Sequence, residues 1–144
     1  MAVPRIVLDT NCLVSALIFR RSRLSSLRTY WQAARYIPLG CEETVNELIR
    51  VLAYPKFELS REEIEQLLGD ILPFLETRTI HGAYAPIDRL RDASDAVFIR
   101  LAQQAQADLL VSGDEDILAL QNTISGLAIS SPADFLHSLA MVKR

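Results

Sequence analysis

Four acidic residues stand where apolar stretches begin or end, and they are the side chains of this sequence best suited to do chemistry. Asp9 follows "RIVL", Glu47 sits inside "ETVNELIRVL", Asp95 inside "RDASDAVFIRLA", and Asp114 follows "LLVSG". Asp116 comes two residues after Asp114, and none of these segments contains a lysine. Carboxylates brought together repel one another unless something positive lies between them. An oxygen-only donor set suits a hard cation, Mg²⁺ or Mn²⁺, rather than zinc. Such an ion keeps several waters and can activate one as a nucleophile. Two ions roughly 4 Å apart would brace the leaving oxygen of an in-line phosphodiester displacement. Cys12 and Cys41 have no CxxC neighbour, and His81 and His137 stand alone. A thiolate or histidine-rich metal site is therefore not expected.

Each acid also has a plain structural job open to it. Asp9 and Asp114 are well placed to cap the helices that follow them. Glu47 can pair with Arg50 on a solvated helix face. Glu115 and Asp116 complement a helix dipole. Asp95 is harder to explain this way: a helical wheel puts it in the face made by Phe98, Ile99, Leu101 and Ala102. A carboxylate on that face needs a compensating partner, because burying it unpaired is costly.

The elements that would carry these acids alternate between strand and helix. Residues 5–8 read as a buried strand and 10–19 as an apolar helix, followed by a helix over 24–35 and a short strand over 36–39. The stripe Val45, Leu48, Ile49 and Leu52 predicts a helix over 42–53. Ser60 and Glu63 form a capping box that opens a helix over 61–75. A strand is expected over 77–80, a loop over 81–87, a helix over 92–106 and a buried strand over 109–111. A short helix over 115–120, a strand over 124–129 broken by Gly126, and a helix over 132–139 complete the chain. This alternation implies an α/β fold with a central parallel sheet and helices on both faces. In such folds strand C-termini and helix N-termini share one rim, where ligands bind. Four separate segments each deliver a carboxylate to that rim.

At 144 residues the chain is expected to form a single domain, residues 1–144. Its longest apolar runs fall far short of the ~20 residues that span a membrane. The basic-then-apolar layout of a leader is missing, so a cytoplasmic protein is expected. The net charge of −3 argues against bulk nucleic-acid binding. Its distribution is uneven, however: Arg20, Arg21, Arg23, Arg28 and Arg35 fall in a stretch with no acid. That strip is either a solvated helix face or a hold for a phosphate backbone. An exposed apolar patch around 13–19 is expected to serve a dimer or a partner.

With the acids placed, the chain resembles the PIN-domain ribonucleases, and within them the branch assigned to toxins of toxin–antitoxin systems. The resemblance is carried by "VLDTNCLVSAL", "ETVNELIRVLAYPKF", "RDASDAVFIRLA" and "ADLLVSGDEDIL" in this order, and by "AISSPADFL" near the end. It implies a three-layer α/β/α sandwich and metal-dependent endonuclease activity, usually on single-stranded RNA. It assigns the family's acidic quartet to Asp9, Glu47, Asp95 and Asp114, with Asp116 as an additional acid. Asn11 and Ser112 match supporting polar positions, and Asp92 an acid frequent in this branch. Ala96 departs from the pattern, since relatives often carry a second acid there; Asp95 is left as the sole acid at its quartet position. The resemblance further implies a cognate antitoxin and a homodimer as partners. Two other readings compete. One is a binding module of the same fold with weak or absent cleavage. The other is an aspartyl phosphotransferase using Asp9, against which Asn11 counts, because such enzymes want a second Asp there.

Overall fold

The computed structural model describes residues 2–82 and 93–141, with side-chain surroundings from Asp95 onward in the second stretch. Five strands are defined: β1 (Arg5–Leu8), β2 (Ile37–Gly40), β3 (Glu76–Thr77), β4 (Leu109–Val111) and β5 (Ile129–Ser130). They form one sheet in the order β3-β2-β1-β4-β5, with every pairing parallel. The helices are α1 (Thr10–Ile18), α2 (Ser25–Gln32), α3 (Glu42–Leu52), α4 (Arg61–Gly69), α5 (Ala93–Gln104), α6 (Glu115–Leu118) and α7 (Pro132–Met141). Single 3₁₀ turns occur at Pro55–Phe57 and Leu72–Phe74.

Strand β1 sits at the centre because it is apolar on both faces. Ile6 and Leu8 point into one core with Leu17, Trp31, Leu48, Leu52 and Phe135, while Val7 points into the other with Ile99, Leu110 and Ile117. Helices thus cover both faces, in three layers. The chain leaves β1 toward β2 on one side and later crosses to β4 on the other. The strand order therefore reverses at β1, and a crevice opens there beyond the strand C-termini.

Several boundaries differ from the sequence expectation for identifiable reasons. Helix α2 stops at Gln32, and Ala34 just beyond it adopts a left-handed φ of 59°. Because an L side chain is strained there, Ala34→Gly is expected to stabilise the fold by about 0.5–1 kcal/mol. A higher urea midpoint at unchanged m-value checks it. Helix α4 does begin at the Ser60–Glu63 capping box, with Glu63 N donating to Ser60 Oγ at 3.0 Å and Ser60 N to Glu63 Oε1 at 2.8 Å. It ends at Gly69, short of residue 75, before the 3₁₀ turn containing Pro73. The strand expected over 77–80 is β3, two residues long and beginning at Glu76. The strand expected over 124–129 is confined to Ile129–Ser130, because Gly126 turns the chain with a φ of 76°. The apolar patch expected around 13–19 is core: Leu13, Val14, Ala16 and Leu17 are buried, and only Phe19 at its end is exposed.

The β3 edge is clamped across the sheet by charge. Arg5 Nε and Nη2 donate to Glu76 Oε2 at 3.2 and 2.9 Å, and Arg78 Nε donates to the same oxygen at 2.9 Å. Hydrogen bonds first from Arg5 and then from Arg78 hold the Glu76 carboxyl below the usual glutamate range. A group whose native pKa is lowered stabilises the fold fully above its unfolded value, about 4.3, and loses that contribution as pH falls through the native value. The difference in urea midpoint between wild type and Glu76→Gln is accordingly expected to be present near pH 7 and to shrink by about pH 3. A constant difference across that range would contradict this assignment.

Candidate active site

Asp9 leaves β1 at the central position of the sheet, its backbone N–H still donating to Val111 O at 3.1 Å. Its extended backbone lets the carboxylate fold back over α1, where Oδ1 accepts from Cys12 N at 2.8 Å and caps the helix. Oδ2 accepts from Ser112 Oγ at 2.5 Å. Ser112, fully buried at the end of β4, accepts in turn from Asp114 N at 3.0 Å. One hydroxyl thus links the acids of the two central strands. Asp114 Oδ1 accepts from Asp116 N at 2.7 Å and Ile117 N at 3.4 Å, capping α6. The capping roles read from the sequence for Asp9 and Asp114 both exist, and both carboxylates also face the crevice.

Glu47 and Asp95 approach from the other sides. Helix α3 starts directly after β2, with Cys41 N donating to Thr44 Oγ1 at 2.9 Å. Seating Leu48 and Leu52 in the core leaves the adjacent Glu47 half-buried over the rim. Its Oε2 accepts from Thr10 Oγ1, and Arg50 Nη2 lies 3.6 Å from its Oε1. Asp95 is half-buried in the first turn of α5, on the face that continues into Phe98 and Ile99. The apolar face therefore meets the crevice at its N-terminal end.

Asp9, Glu47, Asp95 and Asp114 together line a cavity of about 150 Å³, with Thr10, Asn11, Val51 and Phe98 completing its described wall. No cationic side chain is among them. Asp116 is half-buried in the first turn of α6 but does not line this cavity; what it gives Asp114 is its backbone N–H. Asp92 lies outside the described residues. Among the described residues no three His, Cys, Asp or Glu side chains converge on one point closely enough to hold an ion. The donor set nevertheless fits a hard cation: four carboxylates, no sulfur or imidazole, and room for retained waters. Cys12 adds nothing to it, since burial and then the Asp9 charge push its thiol far up. It stays protonated and inert.

The arginine strip divides. Arg20, Arg21 and Arg23 are exposed in the turns between α1 and α2. Helix α1 is nine residues long, so its far end, which they follow, stands roughly 13 Å from the Asp9 end. Arg28 is committed elsewhere, with Nη1 2.8 Å from Asp70 Oδ2. Arg35 donates to Leu139 O at 2.8 Å and lies over the Tyr30 ring. Sequence reasoning missed Thr10. A hydroxyl directly after a strand-ending acid was the available signal, but its partner lies 37 residues away.

A family model described as "PIN domain" matches residues 5–116. No curated protein matches the chain. Among solved structures, the fold is similar to a chain of VapBC2 from Rickettsia felis, crystallised bound to a DNA fragment from their promoter. The TM-score is 0.60 at 14% identity, covering 88% of this chain and 98% of that one. At that identity the likeness shows the fold.

Proposed function

Because the chain belongs to the PIN-domain family, we propose that it is a metal-dependent endoribonuclease that hydrolyses phosphodiester bonds of single-stranded RNA. The observation that carries this reading is the lining of one small cavity, at the switch point of the sheet, by four carboxylates from four separate segments. Asp9, Asp95 and Asp114 would hold Mg²⁺ or Mn²⁺, and Glu47 would bind the ion or orient the attacking water. When bound, such an ion supplies an activated water and offsets the charge of the phosphate. The protein's own residues do the positioning. Ser112 fixes Asp9 and Asp114 relative to each other, the two caps lock both carboxylates to helix starts, and Asn11 stands exposed at the cavity wall. Exposed Arg20, Arg21 and Arg23 would hold the RNA backbone beyond the cleft, while Arg28 serves the fold. The phosphotransferase reading stays the weaker one, because Asn11 stands where such enzymes want a second Asp.

We further propose that the chain is the toxin of a toxin–antitoxin pair, acting in the cytoplasm. The likeness of its fold to a chain from the VapBC2 structure supports this. No described helix is long and apolar enough to cross a membrane.

The test is cleavage of mixed-sequence single-stranded RNA with Mn²⁺ or Mg²⁺, beside an EDTA control and Asp95→Asn. Cutting that disappears in both controls is expected. Cutting that persists in Asp95→Asn would remove that residue from the site. Metal binding without any cutting would favour the binding-module reading.

A further inference from the structure

Glu47 is held less directly than Asp9 and Asp114. Asp9 and Asp114 have short side chains fixed by backbone amides, whereas Glu47 reaches out on three torsions from the second turn of α3. Two groups compete for its two oxygens. Thr10 Oγ1 donates to Oε2 from the acid cavity, and Arg50 lies 3.6 Å from Oε1 on the helix surface. The two are unequal. Thr10 is only 7% exposed and sits at the first position of α1, where strand β1 and the Asp9 cap hold its backbone. The Arg50 side chain is 65% exposed and too distant for a hydrogen bond, so its attraction is weak and screened. Glu47 also has somewhere to go. A second cavity of about 110 Å³, formed with Glu43, Thr44, Arg50 and Val97, shares Glu47 and Phe98 with the acid cavity.

We infer that Thr10 is a positioning residue, whose hydroxyl holds the Glu47 carboxylate in the acid cavity against the competing pull of Arg50. This inference rests on the reading of that cavity as a metal site. Without the hydroxyl, Arg50, the remaining cationic neighbour among the described residues, turns Glu47 along α3 toward the second cavity, and the cleft loses one of its four described carboxylates. Partners that orient a metal-binding side chain typically matter about 10- to 100-fold in metal affinity.

The experiment has two readouts. The first is Mn²⁺ affinity by calorimetry in wild type, Thr10→Val, Thr10→Ser, Arg50→Gln and the Thr10→Val/Arg50→Gln pair. Thr10→Val is expected to weaken binding by about tenfold or more, and Thr10→Ser to restore it. Arg50→Gln should help more in the Val background than in wild type, a non-additivity that a merely structural role would not produce. The second readout is the Glu47 χ1 rotamer from three-bond NMR couplings in metal-free protein: one rotamer in wild type, averaging in Thr10→Val. A fixed Glu47 in Thr10→Val, or simple additivity, overturns the inference. If wild type does not bind Mn²⁺ at all, the metal-site reading fails. The rotamer measurement then still decides the role of Thr10.

Discussion

Asp9→Asn is expected to keep the fold, at a cost of about 1 kcal/mol because the amide NH2 that replaces Oδ2 cannot accept from Ser112, and to lose RNA cleavage by about a hundredfold or more. The separation would arise because the capping job of Asp9 and its proposed metal-binding job need different properties of its side chain. As a cap it needs an oxygen to accept from Cys12 N, which an asparagine carbonyl supplies nearly as well. As the proposed metal ligand it would need negative charge, which asparagine lacks. Even an outer-shell partner of a metal ligand costs about 10- to 100-fold, so loss of a charged ligand should cost at least the upper end. Asp9→Ala removes both functions. It deletes the cap, worth about 1 kcal/mol, and leaves the buried Ser112 hydroxyl without its acceptor, at a further cost of about 1–3 kcal/mol. Single-turnover cleavage and thermal melts of both variants check this pair. Asp9→Asn cutting at close to the wild-type rate would remove Asp9 from the metal site. Asp9→Ala melting with wild type would contradict the capping geometry.

The largest stability effect is expected at Trp31. Its side chain is 1% exposed, and its Nε1 donates to Asp70 O at 2.9 Å, joining α2 to the end of α4. Arg28 from the same helix pairs with the Asp70 side chain, so one residue is gripped through both its backbone and its carboxylate. Trp31→Ala removes the largest buried side chain of this core, opens a cavity and strands the Asp70 carbonyl. Large aromatic truncations of this kind cost about 3–5 kcal/mol. For a chain of this size that lowers Tm on the order of 10 °C. A shift of only a degree or two would mean that the surrounding side chains collapse into the space.

What was legible in the sequence follows the range of the interactions involved. Strand β4 is legible at its observed bounds, because three consecutive apolar residues between polar flanks leave little freedom. The capping box at Ser60 and Glu63 was legible because both its hydrogen bonds span three residues. The candidate acids could be gathered on one rim because strand–helix alternation alone decides where strands end. What stayed hidden depends on distant partners. Arg28 read as free for a phosphate, but Asp70 lies 42 residues further on. Thr10 read as an ordinary first helical residue, yet its hydroxyl reaches Glu47. The run from Leu13 to Phe19 read as an exposed patch, although a helix apolar nearly all round is one that other elements cover, and only Phe19 at its end is exposed. Asp116, which the resemblance supplies as an additional acid, gives Asp114 its backbone N–H and does not line the described cavity wall.

The Ser112–Asp9 hydrogen bond joins residues 103 positions apart, and this bears on how the protein is made. Asp9 leaves the ribosome early, but β4 and Asp114 emerge only after most of the chain. Pairing between strands so far apart in sequence is slow to form. Until β4 docks beside β1, Asp9 lacks its serine donor and the cleft lacks one wall. A growing chain therefore carries no assembled cleft for nearly the whole of its synthesis, and truncated products ending before residue 109 should be inert toward RNA at any concentration.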